Sequence, residues 1–189
     1  MVQTLVFGTV LGGIASFVWG AISWMALPWH HATFKTFRDE DAVGRVLLEN
    51  AGPDAVYGLP APPVTRGMSK AEVAATETSV RAKLEAGPLA LVVFQRQGYE
   101  SIKSRMLRAV LIGMLGSLLF QILLLRLAPG TPYLVRATLV GIGALAGAIV
   151  CRLPDWNWHG FSPQYTVVAI ADVTIGWFLV GLVLAAFVR

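Results

Sequence analysis

This chain is short of cysteine, of histidine and of charge, and each shortage closes off a class of protein. One thiol, Cys151, in 189 residues leaves no intrachain disulfide and no cysteine-built metal centre. Lying at the end of an apolar run, it reads as a small buried residue. Charged residues make up 14% of the chain, against about 25% in soluble domains. There is no Asp, Glu, Lys or Arg between Met1 and His31. The bases that exist are scattered, without a basic run or interleaved aromatic platform, so no nucleic-acid partner is expected. No G-x-S-x-G, no phosphate-cradling glycine loop and no Cys–His pair is present, so nothing points to nucleophilic catalysis or to a bound cofactor.

What is abundant is apolar sequence, 56% of the residues. A soluble core of this size cannot hide so much, whereas lipid can. Crossing the hydrocarbon takes about 20 mostly apolar residues, and four runs qualify: 5–27, 109–127, 133–153 and 166–188. Pro28, Pro129 and Pro154 close the first three. The first run is too long for a signal peptide, lacks a basic start and carries Trp19, Trp24 and Trp29, so it reads as a retained span. Trp24, Trp29, Tyr133, Trp156, Trp158 and Tyr165 lie near run ends, where amphipathic rings favour the headgroup zone.

Residues 30–105 differ. Residues 39–51 read as an amphipathic helix stopped by Gly52 and Pro53. Residues 54–59 suggest a short strand. Ser69 and Glu72 form a capping box that opens a helix to about residue 86, with Gly87 as its C-cap. Residues 89–95 are the best strand in the chain. The expected fold is therefore a membrane α-helical protein, with four transmembrane helices and a small α+β extramembrane domain between spans 1 and 2. The divisions are 1–29, 30–105 and 106–189, with an aromatic loop at 154–165.

Connectivity places that inserted domain, the ends of spans 1 and 3 and the aromatic loop on one face of the membrane. The termini and the short Arg126–Arg136 loop share the other. Lys35 to Arg108 hold eleven basic residues, and Arg152 lies on the same side. A raw count would put this face in the cytoplasm, but long loops follow the charge rule poorly. The short loop with its arginines, joined by Arg189, favours an inserted domain on the non-cytoplasmic side.

Six segments carry a resemblance: FVWGAISWMALPW (17–29), EDAV (40–43), VYGLP (56–60), GPLALVVF (87–94), DWNWHGFSPQYT (155–166) and DVTIGWFLVG (172–181). In this order they resemble a group of uncharacterised bacterial four-span membrane proteins with no assigned activity. The resemblance implies an inner-membrane location and this architecture, and it carries over no catalytic residue.

Chemistry has few places to sit. His30, His31 and His159, with Asp155 beside the last, are of metal-ligating type. Their spacing matches no metal motif, and boundary histidines more often bond to backbone or headgroups. Asp172, a turn and a half into span 4, is an intramembrane carboxylate and so a functional candidate; pairing with Arg152 or a tryptophan N–H is the structural reading. Arg105, Arg108, Arg126 and Arg136 suit snorkelling to phosphates, though Arg136 lies far enough inside span 3 to pair within the bundle. Gly8 with Gly12, and Gly143 with Gly147, form GxxxG pairs suited to close helix packing. Trp29, Trp156, Trp158 and Phe161 suit an interface or a partner.

These features lead to a non-enzymatic integral membrane protein, an accessory or structural subunit of a larger membrane complex or homo-oligomer, in contact with the lipid bilayer. One alternative is a small ion- or proton-coupled transporter or channel using Asp172. The other is a membrane metal-binding protein using His30, His31 and His159.

Overall fold

The computed structural model describes residues 2–98 and 101–188; Arg189 falls outside them. The element order is α1 (Val2–Ala21), a π-helical turn (Ile22–Ala26), α2 (Trp29–Thr33), α3 (Glu40–Asn50), β1 (Ala55–Leu59), α4 (Lys70–Ala86), β2 (Ala90–Phe94), α5 (Ile102–Leu124), α6 (Tyr133–His159) and α7 (Pro163–Phe187). Among the described residues, four helical segments are long and apolar enough to cross a membrane: Gln3–Ala26, Ile102–Leu124, Tyr133–His159 and Pro163–Phe187. The protein is a multi-pass helical membrane protein with a small α+β segment between spans 1 and 2. It divides into two compact units, the helical bundle and the inserted unit.

In the bundle, α1 lies against α5 and α7. Lipid supplies no hydrophobic drive between helices, so close backbone approach and polar bonds must hold them. Small residues provide that approach. A Cβ on Gly8 would enter the Gln121 amide, one on Gly12 would lie 2.5 Å from Ser117 Oγ and 2.9 Å from Leu184, and one on Gly113 would lie 3.1 Å from the Gly13 carbonyl. Ser117 and Gln121 are spaced by one helical turn, as are Gly8 and Gly12, so the seam runs along both helices. Leu124, Val140, Val180, Leu184 and Val188 form the core of the bundle, flanked by Phe120 and Trp177. Tyr133 ties α6 to α7 through a 2.7 Å bond from its hydroxyl to the Leu182 carbonyl.

Two local expectations change. The third span does not end at Pro154: α6 continues through it to His159. Proline removes one hydrogen bond and crowds the preceding turn, but the helix resumes. Asp155, Trp156, Asn157, Trp158 and His159 are thus helical, and the connection to α7 is only Gly160–Ser162. Cys151 is exposed and not buried, because it lies on the outer side of α6, where lipid replaces protein as the apolar surround.

In the inserted unit, Asp39 caps α3 by accepting from Ala42 N–H at 2.8 Å. Ser69 and Glu72 form the full capping box of α4, and Gly87, at φ 67°, ends it. β1 and β2 pair antiparallel, Ala55 opposite Phe94 through Leu59 opposite Ala90. The Arg96 guanidinium closes the C-terminal end of α3, donating to the carbonyls of Leu48 (3.1 Å) and Ala51 (2.6 Å). Neither α3 nor α4 buries a single residue.

Candidate functional site

Asp172 is the centre of a connected polar cluster in the bundle. Its Oδ1 accepts from Trp19 Nε1–H at 2.8 Å and from the Ser23 hydroxyl at 2.6 Å. Its Oδ2 lies 3.3 Å from His30 Nε2. Ser23 in turn accepts from Trp29 Nε1–H at 3.1 Å and lies 3.0 Å from the same His30 nitrogen. Ser23 is fully buried and His30 is 4% exposed.

The chain builds this cluster by breaking helical regularity. The π-helical turn at Ile22–Ala26 closes with a bond from Leu27 N–H to the Ile22 carbonyl, i to i+5. Such a turn widens the helix locally and is frequent at functional sites. Pro28 then starts the short α2, which buries His30 and leaves His31 exposed. On α7, Gly176 follows Asp172 by one turn, and a Cβ there would lie 2.7 Å from Trp19 Nε1. The missing side chain is the space that Trp19 occupies when it donates to Asp172. Trp24 stacks flat on the His30 ring, 3.9 Å between centroids and 5° between planes, while Trp29 meets that ring edge-on at 5.6 Å.

Proton counting fixes the roles. The Ser23 hydroxyl has one hydrogen, which goes to Asp172 Oδ1, and its lone pairs receive Trp29 N–H and His30. With Ser23 donating to Asp172, the His30 tautomer that meets the Ser23 oxygen is the one with its proton on Nε2. The Trp19 N–H also reaches the Asp172 backbone carbonyl at 3.1 Å, and the Trp29 N–H the Ser23 carbonyl at 3.1 Å. This is not the relay of a serine hydrolase. There, one imidazole nitrogen faces serine and the other the carboxylate; here Nε2 faces both, and serine donates directly to the carboxylate.

The other candidates separate. Asp155 pairs with Arg152, Nη1 to Oδ2 at 3.7 Å, so Arg152 is not the partner of Asp172. Among the described residues, no group of three His, Cys, Asp or Glu is placed to hold a metal ion. Trp156 is 47% and Trp158 80% exposed. Phe161 packs on Tyr165, which packs on Phe34. Arg136 has a buried Nε with no hydrogen-bond partner. Gly143 receives Phe120 at 3.1 Å, whereas nothing lies within 4 Å of a Cβ on Gly147.

Trp19, Ser23 and Gly176 were not legible as site residues. The Asp172–Gly176 spacing of one turn is the one available signal, since glycine a turn from an intramembrane carboxylate makes room for a donor. Comparison with protein-family models, with curated proteins and with solved structures finds no match to this chain.

Proposed function

We propose that this chain is a non-enzymatic membrane subunit whose inserted unit is completed by another chain or a second copy. One observation carries the reading: α3 and α4 bury no residue, and Phe94 is the one buried hydrophobic of that unit. A two-stranded sheet is at best marginal without further packing. Residues Val56 and Val93, opposite each other in the register, are 61% and 74% exposed on one sheet face. An element so poor in core draws its order from contacts made elsewhere. In this reading the Asp172 cluster is a clamp that locks the end of span 1 onto span 4. Its donors and acceptors are mutually satisfied, which suits a fixed structural role.

The location that goes with this reading is a bacterial inner membrane, from the resemblance of the six segments. The inserted unit would face the non-cytoplasmic side, from the arginines of the short loop between spans 2 and 3. Purification in a mild detergent, followed by native mass measurement and identification of bound chains, tests the proposal. A co-purifying membrane protein or a stable homo-oligomer supports it, and a lone monomer contradicts it.

A second reading has its own observation. A carboxylate and an imidazole in contact at a span boundary are the elements of proton handling, which favours ion-coupled transport at Asp172. It requires Asp172→Asn to abolish a proton-linked flux in vesicles while leaving assembly intact. Loss of assembly together with flux favours the clamp.

A further inference from the structure

At the opposite end of the bundle from Asp172 stands a cation with one buried N–H that no described residue answers. Arg136 stands in the first turn of α6, and its Nε is buried without a hydrogen-bond partner among the described residues. Leaving that N–H unpaired is costly, because it has neither water nor an acceptor, while the rest of the residue stays partly exposed. The location makes this worse. The first turn of a helix is the positive end of its dipole, which repels a cation.

The sequence offers no carboxylate side chain to relieve it. After Glu100 the acidic residues are Asp155 and Asp172 alone. Asp155 follows Arg136 by 19 positions on the same helix, about 28 Å away along its axis. It already pairs with Arg152, and Asp172 is engaged by His30, Ser23 and Trp19. The segment joining α5 to α6 adds a second cation, the exposed Arg126, and no acid.

A helical side chain leans toward the N-terminus of its helix, so Arg136 leans toward the membrane surface and not toward the bilayer centre. An anion of headgroup depth is the group within its reach. Arginine offers a planar fork that matches phosphate oxygens.

We propose that Arg136, assisted by Arg126, is a phosphate-binding site, and that the phosphate is the headgroup of an anionic phospholipid. This goes beyond the clamp and the subunit reading and depends on neither. It differs from generic snorkelling in being specific to one residue, because Arg126 is exposed and Arg136 is the cation whose Nε is buried and unpaired.

The test uses the full chain, stripped of lipid in detergent and reconstituted into nanodiscs. The expected result is a higher Tm in phosphatidylglycerol-containing discs than in discs of phosphatidylcholine alone. Arg136→Gln loses that increment while keeping its Tm in phosphatidylcholine, and it retains phosphatidylglycerol about tenfold less well, as for loss of one charge-assisted bond. Arg126→Gln loses a smaller part. Arg136→Lys, which keeps charge without the fork, retains part of the increment and guards against a variant that does not fold. Inorganic phosphate added to the detergent-solubilised chain distinguishes the sources. If it reproduces the whole increment, the lipid assignment falls and a free-phosphate site stands. An equal increment in wild type and Arg136→Gln overturns the site, as does a Tm in Arg136→Gln raised equally in both lipids, the mark of an unpaired charge merely removed.

Discussion

At the residue scale, Asp172 gathers donors that come from far away in the chain. Replacing it by Asn removes one carboxyl oxygen and leaves His30, Ser23 and Trp19 sharing an amide that is itself a donor. Breaking a buried charged pair by removing one partner costs about 3 kcal/mol, and the partial exposure of the Asp172 side chain, 18%, places the expected loss below that, at about 2 kcal/mol. Ser23→Ala removes one donor and one acceptor, with an expected loss of about 1–2 kcal/mol. Unfolding in mixed micelles, followed by helical circular dichroism, measures both, and unchanged stability in Asp172→Asn contradicts the clamp. Asp172 was visible in the sequence because a carboxylate in an apolar run is conspicuous. A tryptophan N–H was a foreseen partner, but which tryptophan was not. Trp19 and Ser23 lie 153 and 149 positions away, and only the rotational setting of α1 against α7 brings them together. The π-helical turn that carries Ser23 has no sequence mark stronger than the proline that follows it.

At the element scale, the spans and the capping box were legible because length, apolarity and local hydrogen-bonding chemistry decide them. Continuation of α6 through Pro154 was not, since proline weakens a helix without always ending it. The glycines divide into those with neighbours and those without. Gly12→Leu drives a side chain into Ser117 and Leu184, with an expected cost of about 1–3 kcal/mol. Gly147→Leu points into open space and is expected to stay within about 0.5 kcal/mol of wild type. Thermal unfolding of the two variants side by side checks this, and equal effects would show that the α1–α5 seam does not hold the bundle. For α4, the Ser69 backbone N–H donates to the Glu72 carboxylate at 2.8 Å, and with the Ser69 side chain it holds Glu72 below its ordinary value of 4.5. A depressed carboxylate stabilises the folded form above its unfolded pKa and loses that contribution as pH falls through the folded one. Helicity of residues 70–86 is therefore expected to hold above the ordinary value of 4.5 and to decline as pH falls below it. The Glu72→Gln variant should lack this acid step in a pH titration of the amide signals.

At the scale of the whole molecule, the two units stand in contrast. The bundle has a core, a glycine seam and a satisfied polar cluster. The inserted unit has sound local chemistry, with caps at α3 and α4 and the Arg96 closure, but little that is buried. Its low apolar content was evident from the sequence. Which residues would remain uncovered was not, because strand register decides that Val56 and Val93 share an outer face while Tyr57 and Phe94 share the inner one. The most direct test of completion by another chain is native mass measurement of the protein extracted in mild detergent, with identification of every chain that accompanies it. The account predicts a stoichiometric partner or a defined oligomer whose cross-links fall on α4 or on the Val56–Val93 sheet face. A monomer with no accompanying chain, and an inserted unit fully protected from hydrogen exchange on its own, would contradict it.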